Sequence, residues 1–210
     1  MNREYHFYEP AKGHGLRHSP FNAIIAPRPI GWISSQDTAG RLNLAPYSFF
    51  NAFNYVPPII GFASNGAKDT LANAEASGEF CWNLVSEALG TAMNTTSAEV
   101  GPEVDEFELA GLTPAESRVI STPHVAQARA VFECRTTQII PLTTAEGEQT
   151  VTSVVFGEVV GVHIDQSLLT DGIYQTAAGQ PLVRGGGPTA YFTIDEQNRL
   201  DMKRPAKESP

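Results

Sequence analysis

Residues 27–51 read PRPIGWISSQDTAGRLNLAPYSFFN, and this stretch decides the fold class. Positions 30–35 and 42–50 are rich in β-branched and aromatic residues, which predicts two strands. The segment between them, Asp37-Thr38-Ala39-Gly40, contains turn-forming residues and predicts a tight connection. Two strands joined by so short a turn pair antiparallel, which separates this chain from folds that alternate strands with helices.

Short strands and turns continue along the rest of the chain. Further strands are predicted at 22–26, 59–63, 80–85, 131–140 and 151–165. Asp69 is the predicted N-cap of one short helix at 70–77, which ends at Gly78, and a second short helix is predicted at 87–94. Six or more strands with two or three short helices predict a mainly β (α+β) fold dominated by an antiparallel barrel.

One domain accounts for most of the chain. Its 210 residues, 41% of them hydrophobic, suffice for one sizeable core. Residues 1–20 show no clear period and end at Pro20, so we expect an N-terminal arm, a domain at 21–200 and a polar tail at 201–210. The acidic stretch 99–108 is expected to be a loop, either a lid over a ligand or a solvated face.

Charge and cysteine usage exclude several classes of function. The formal net charge of -9 argues against a nucleic-acid binder, and the low share of charged residues, 18%, suggests that a partner or ligand covers part of the surface. No membrane span, secretion signal or metal site is expected, so we expect a cytoplasmic protein. Cys81 and Cys134 lie in apolar runs and are predicted to be core residues.

Two neighbouring features could together hold a phosphorylated aromatic ligand. The helix start at 68–70 offers free N–H groups and a lysine, which suits a phosphate. Hydroxyls that could join it are those of Ser34, Ser35 and Ser64. Ala45-Pro46 keeps the chain extended, and residues 47–51 supply aromatic rings and an amide against which a flat ring can lie. Taken singly, aromatic residues on strands more often belong to the core.

The ordered set of motifs in this chain resembles one family. The motifs are RPIGWISS at 28–35, NLAPYSFFN at 43–51, PP at 57–58, KDT at 68–70, GEF at 78–80, NL at 83–84, FEC at 132–134 and GEVV at 157–160. In this order and with these gaps they resemble the flavin reductase-like FMN-binding proteins of the flavoredoxin type. The resemblance implies a split β-barrel that forms a homodimer, with one FMN per subunit at the interface.

The resemblance also implies which residues bind the flavin and its phosphate. They are Arg28, Trp32, Ser34, Ser35, Ala45, Pro46, Tyr47, Ser48, Phe49, Phe50, Asn51, Ser64, Lys68, Asp69 and Thr70. The implied activity is that of an NAD(P)H:flavin reductase, which transfers hydride from NADH or NADPH to FMN and can serve a monooxygenase or redox protein partner. The alternatives are a non-enzymatic FMN-binding electron carrier reduced by a protein partner, and a barrel that has lost its cofactor.

Two further residues are candidates for a role in the chemistry. His163 ends a predicted strand and is followed by Asp165, so it is the candidate catalytic side chain, although strand-end histidines are more often structural. Arg184 precedes Gly185-Gly186-Gly187 and could meet a nicotinamide or a phosphate of a partner subunit. An ordinary surface arginine is as common an outcome.

Overall fold

The computed structural model describes residues 3–205. Its strands are β1 (Arg28–Pro29), β2 (Gly31–Gln36), β3 (Leu42–Tyr47), β4 (Phe50–Asn54), β5 (Ile59–Asn65), β6 (Glu79–Asn83), β7 (Pro114–Ala115), β8 (His124–Val125), β9 (Ala130–Thr143), β10 (Gln149–Ile164), β11 (Leu169–Thr170), β12 (Ile173–Tyr174), β13 (Leu182–Arg184) and β14 (Tyr191–Thr193). Its α-helices are α1 (Phe21–Ile24), α2 (Asp69–Ser77), α3 (Gly90–Thr95) and α4 (Glu106–Leu109). Short 3-10 helices span Pro10–Lys12, Glu87–Leu89, Gln166–Leu168, Ala177–Gly179 and Glu196–Asn198.

Seven strands form one antiparallel sheet in the order β3-β2-β6-β9-β10-β5-β4. β3 and β4 lie at opposite edges of this sheet, yet only Ser48 and Phe49 connect them. The three residue steps from Tyr47 to Phe50 span at most about 11 Å, so the sheet must curl until its edges nearly meet. We call the line where β3 approaches β4 the seam. The predicted mainly β fold is confirmed, and its architecture is that of a split barrel.

Hydrophobic side chains pack on both faces of the curled sheet. Successive strand residues point to opposite faces, and Ile33 therefore faces the inside of the curl, where it packs in one cluster with Phe62 and Phe80. Its neighbour Trp32 faces outward and packs in a second cluster with Phe107 of α4. This second cluster fixes the short helices against β2 and β3, beside the seam.

Three details differ from the sequence-based expectation. Residues 22–26 form the end of α1 and the turn after it, because an apolar run this short does not distinguish a strand from a helical turn. The expected strand at 42–50 divides into β3 and β4, since the chain crosses the seam at residues 48 and 49. Lys68, with extended backbone, is the N-cap of α2, and Asp69 is the first helical residue.

A small sheet of β1, β13 and β14 was not predicted from the sequence. It joins segments more than 150 positions apart, pairing Arg28 with Arg184. Gly186, in the connection between β13 and β14, lies so close to α1 that an added Cβ would be 2.7 Å from the Cα of Ala23. The glycine run therefore lets the end of the chain pack against its beginning.

Two predictions about the core and the surface can be compared with the structure. Cys81 and Cys134 are free and fully buried, which confirms that they are core residues. Among residues 3–205, no helix combines the length and the apolar character that spanning a bilayer requires. Of the expected tail, residues 206–210 lie outside the described residues, as do residues 1 and 2 of the expected arm.

Candidate functional site at the seam

A groove of about 530 Å³ runs along the seam, and we call it the seam groove. It is lined by the end of β3 with the two seam residues, by the start of α2, and by residues 96–100 after α3. Its volume lies within the range of small-molecule sites. The predicted site residues that it brings together are Ala45, Pro46, Tyr47, Ser48, Phe49, Lys68, Asp69 and Thr70.

The start of α2 brings backbone N–H donors and two opposite charges, Lys68 and Asp69, to one wall of the seam groove. The helix runs for nine residues from Asp69, so its first backbone N–H groups have no intrahelical partner. The exposed Lys68 adds a full charge beside them. The Thr70 hydroxyl accepts a hydrogen bond from the Asn43 side-chain amide at 2.8 Å, which ties the helix to β3. This corner of the groove can hold a phosphate.

The Tyr47 hydroxyl is buried in the wall of the seam groove and has no hydrogen-bond partner among residues 3–205. Its ring packs on Phe62 with 4.7 Å between centroids. Burial raises the pKa of Tyr47, and the nearby Thr70 and Ser64 hydroxyls oppose that rise, although neither meets the phenol with hydrogen-bond geometry, so the phenol is protonated and able to donate. An unpaired buried hydroxyl costs about 1–3 kcal/mol, and such a group fits a site that a polar ligand atom completes.

The outer edge of β3 presents hydrogen-bond acceptors and no free backbone N–H at Leu44 and Pro46. Leu44 donates its N–H to the Glu106 carboxylate at 3.1 Å, so this N–H lies off the sheet ladder and points outward. The backbone nitrogen of Pro46, two residues later in the strand, points to the same outer side as the Leu44 nitrogen, and it carries no hydrogen. Burial, together with the carboxylates of Asp69 and Asp105, raises the pKa of Glu106 against the effect of the Leu44 N–H. Backbone carbonyls remain available to donors of a ligand along this edge.

Trp32 supports the opposite wall and does not line the groove. It is fully buried, and its indole N–H donates to the Thr96 hydroxyl at 3.0 Å. Thr96 in turn donates to the Met93 carbonyl at 2.8 Å and lines the seam groove. The chain of two bonds fixes the start of the 96–100 wall relative to β2.

The three serines expected at the phosphate lie behind the groove wall. Ser34 donates to the Pro123 carbonyl at 2.8 Å, and Ser64 donates to the Gly66 carbonyl at 3.2 Å. The Ser35 hydroxyl accepts from the side-chain amide of Asn43 at 3.2 Å, the same amide that holds Thr70. All three serines are buried, so in this subunit they order the wall rather than line the groove.

Arg28, Phe50 and Asn51 line a second pocket of about 350 Å³ on the far side of Phe49. Ser48 and Phe49 belong to both pockets, which makes the two adjacent. The Arg28 Nε donates to the Ser48 carbonyl at 3.1 Å, which holds the seam connection in place.

Neither His163 nor Arg184 lines the seam groove. The His163 ring nitrogen lies 2.5 Å from the buried carboxylate of Glu133, on the outer side of the sheet. Arg184 donates to the carbonyls of Ala190, Gly187 and Pro188 at 2.7–3.0 Å. His163 therefore does not contact the seam groove within one subunit, and its catalytic role stays a prediction.

Comparison with known proteins gives the family. The model of the flavin reductase like domain matches residues 25–183. The chain belongs to the flavin reductase-like family. A protein of Aquifex aeolicus is 36% identical over 155 residues, which cover 71% of this chain and 76% of that protein.

Two solved structures extend this comparison. The nitrilotriacetate monooxygenase component B from Bacillus cereus is 32% identical, with a TM-score of 0.85 over 95% of this chain and 100% of that one. A protein with a split barrel domain from Shewanella frigidimarina is 26% identical, with a TM-score of 0.75 over 87% of this chain and 90% of that one. The split barrel and the flavin reductase-like family implied by the motifs are confirmed.

In this member of the flavin reductase-like family, ten residues of the groove lining were not among the predicted site residues, and Asn43, Thr96 and Glu106 are the three whose contacts are described above. A helix start next to Glu106 is indicated by a capping-box pattern in the sequence. Asp105 caps α4 by accepting from the Phe107 N–H at 2.8 Å, and Glu108 occupies the third helical position. The expected loop at 99–108 therefore contains the start of a helix. Thr96 had no comparable signal, since its contact with Trp32 joins segments 64 positions apart.

Proposed function

We propose that the chain binds FMN in the seam groove and acts as an NAD(P)H:flavin reductase. The observation that carries the proposal is the unpaired Tyr47 hydroxyl in the wall of a groove that also contains the start of α2. Membership of the flavin reductase-like family supports a flavin as the ligand. A phosphorylated, planar, polar-edged molecule matches the separate features of this groove.

Each wall of the seam groove has a distinct task in this proposal. The backbone N–H groups at 69–70 and the Lys68 ammonium hold the phosphate. Ala45 and Pro46 leave room for a flat ring along the edge of β3, where an outward carbonyl would accept from the ring N–H. The Tyr47 hydroxyl donates to a polar atom of the ligand.

The chemistry of the proposed reaction requires little from the side chains beyond position. When bound, FMN supplies the ring that accepts hydride from NADH or NADPH. The protein holds that ring against the seam and leaves one face open for the donor, which the exposed position of the groove permits. Phe49, 44% exposed at the boundary of both pockets, is placed to limit where a second ring can stack.

A homodimer belongs to this proposal, because β4 and the turn after it present an uncovered apolar strip beside the groove. Phe53, Tyr55 and Val56 are 58%, 90% and 79% exposed. β4 is also an edge strand, with one row of backbone groups that no neighbouring strand pairs. A second copy packed on this strip would shield the groove and add residues to it. Size-exclusion chromatography with light scattering tests the dimer, and a monomer at micromolar concentration would contradict it.

The visible spectrum of the purified protein tests the cofactor. Flavin absorption bands, or their appearance in protein dialysed after addition of FMN, are expected. A colourless protein that takes up no FMN would overturn the proposal, and so would uptake that is unchanged in a variant that fills the groove, such as Ala45→Trp.

Anaerobic mixing with NADH or NADPH tests the activity. The expected result is bleaching of the bound flavin by at least one nicotinamide, with one equivalent of hydride consumed per flavin. Flavin that binds but is bleached by neither nicotinamide would identify the alternative, an electron carrier reduced by a protein partner. Because the similar Bacillus cereus protein is named as a monooxygenase component, a monooxygenase is the partner class proposed for the reduced flavin.

A further inference from the structure

The second pocket at the seam is lined by several aromatic rings and one arginine. We call it the arginine pocket; its volume is about 350 Å³ and its walls include Arg28, Phe49, Phe50, Asn51, Phe53 and Phe62. Arg28 is the only charged residue in the lining, and four phenylalanines surround the space. Such a pocket offers flat apolar surfaces with a single cationic group, which is the environment that an aromatic anion requires.

The Arg28 guanidinium has no carboxylate partner among residues 3–205, although the chain has nine more acidic than basic residues. Its Nε, Nη1 and Nη2 donate to the carbonyls of Ser48, Asn22 and Gly185 respectively. These are neutral acceptors, so the hydrogen bonds orient the group without neutralising it. A guanidinium has five N–H donors, which leaves two for a ligand.

A second arginine strengthens the positive potential at this place. Arg184 stands directly opposite Arg28 in the pairing of β1 with β13. It too donates only to carbonyls, and its guanidinium lies over the Tyr191 ring at 4.7 Å. Burial and the proximity of Arg184 lower the pKa of Arg28, which still leaves it charged at neutral pH. Arg184 lies outside the lining of the arginine pocket, so Arg28 is the group that an anion there would meet.

The geometry points to the arginine pocket as a subsite for a second ligand, a small planar aromatic carboxylate that binds beside the flavin. The carboxylate would take the two free N–H donors of Arg28, and the ring would lie between Phe49 and Phe53. Because Ser48, Phe49 and Ala63 line both pockets, a ligand here touches the seam groove. Its assignment as a substrate subsite rests on the proposed flavin function, whereas the binding itself does not.

The shape of the pocket argues for a carboxylate on a ring rather than for an isolated phosphate. The phosphate features of the site, a helix start and Lys68, belong to the seam groove and are absent from the lining of the arginine pocket. Phe53 is 58% exposed at the mouth and leans on Phe156 with 5.0 Å between centroids, so its ring is held in place to cover a flat ligand.

Calorimetric titration of the FMN-loaded protein with benzoate tests the inference. Benzoate is expected to bind saturably, and benzyl alcohol and inorganic phosphate at least tenfold more weakly. Arg28→Gln should weaken benzoate binding by about tenfold or more, since a charge-assisted pair is lost. Arg135→Gln, which removes one charge at an exposed site on β9, should leave binding unchanged.

A second variant and a competing ligand distinguish loss of the benzoate subsite from loss of the fold. If Arg28→Gln does not fold, Arg28→Lys serves instead: it keeps the charge but not the planar pair of N–H donors, and it should weaken benzoate severalfold. Absence of benzoate binding to folded, FMN-loaded protein would overturn the inference, and so would phosphate that competes as well as benzoate does. Benzoate binding to protein that takes up no FMN would overturn the proposed function and leave the binding subsite standing.

Discussion

Glu133 on β9 and His163 on β10 are joined by a hydrogen bond of 2.5 Å, and the Glu133 carboxylate is fully buried. The same carboxylate accepts the backbone N–H groups of Arg118, Val119 and Ile120 at 2.7–3.1 Å. One side chain therefore fastens the segment at 118–120 to the outer face of the sheet. The His124 ring lies next to that of His163, tilted by 39° with 4.7 Å between ring centroids, and completes the cluster.

This cluster predicts that the protein loses stability in acid in two stages. Burial lowers the pKa of His124 below 6.5, so the free energy of unfolding falls as pH drops through that value. Burial alone would raise the pKa of Glu133, but the three N–H groups and His163 outweigh it and lower the pKa to about 2. The contribution of Glu133 is present above pH 4.5 and is lost between pH 4.5 and 2, roughly 3 kcal/mol. Urea unfolding at a series of pH values measures both stages.

Glu133→Gln should destabilise the protein by about 3 kcal/mol at pH 7, because the amide offers one acceptor oxygen where the carboxylate serves four donors. Its unfolding free energy should also lose the pH dependence that Glu133 contributes between pH 4.5 and 2. Glu148→Gln, at an exposed hairpin turn, is the matched control and should change neither quantity. A Glu133→Gln protein as stable as the parent would show that the cluster does not hold the segment at 118–120.

The part of the site that was predictable from sequence is the part built from contiguous residues. Positions 45–49 and 68–70 each form a wall by themselves, and their residue types already indicate a ring surface and a phosphate corner. The curl of the sheet follows once β3 and β4 are seen at opposite edges with two residues between them, but the sequence does not reveal strand order.

The contacts that sequence reasoning missed are long-range. The Ser35 hydroxyl accepts from the side-chain amides of Asn43 and Asn73, at 3.2 and 3.1 Å, and the local sequence around Ser35 indicates neither contact. Arg28 meets Gly185 at a separation of 157 positions, a contact that no local pattern records. The sequence thus indicates which chemical groups are present, but it does not indicate the direction in which each side chain points.

Thr96→Val should weaken FMN binding and lower stability together. The valine keeps the shape but leaves the buried Trp32 N–H without its acceptor, which costs about 1–3 kcal/mol and releases the wall at 96–100. Thr96→Ser keeps the hydroxyl and should restore both properties. Thermal unfolding and FMN titration measure them. A Val variant that loses stability but binds FMN normally would assign the Trp32–Thr96 bond a purely structural role.

Lys68→Ala should weaken FMN binding by about tenfold, because an exposed charge next to the helix start contributes to holding the phosphate. The loss should be larger at low ionic strength, since salt screens an exposed charge. Lys12→Ala removes an equal charge from the N-terminal arm and should have no effect on FMN. Fluorescence titration with FMN at two salt concentrations measures the difference, and equal affinities for the two variants would place the phosphate elsewhere.

Tyr47→Phe separates the cost of the unpaired hydroxyl to the stability of the free protein from its use in ligand binding. Without ligand, the variant should be as stable as the parent or up to about 1 kcal/mol more stable, because a buried hydroxyl without a partner is removed. With FMN, the affinity should fall by about three- to tenfold, since the ligand loses a hydrogen-bond donor. Tyr174→Phe, outside the seam groove, controls for loss of a phenol elsewhere. Equal FMN affinity of Tyr47→Phe and the parent, measured beside their thermal unfolding, would show that the hydroxyl does not meet the flavin.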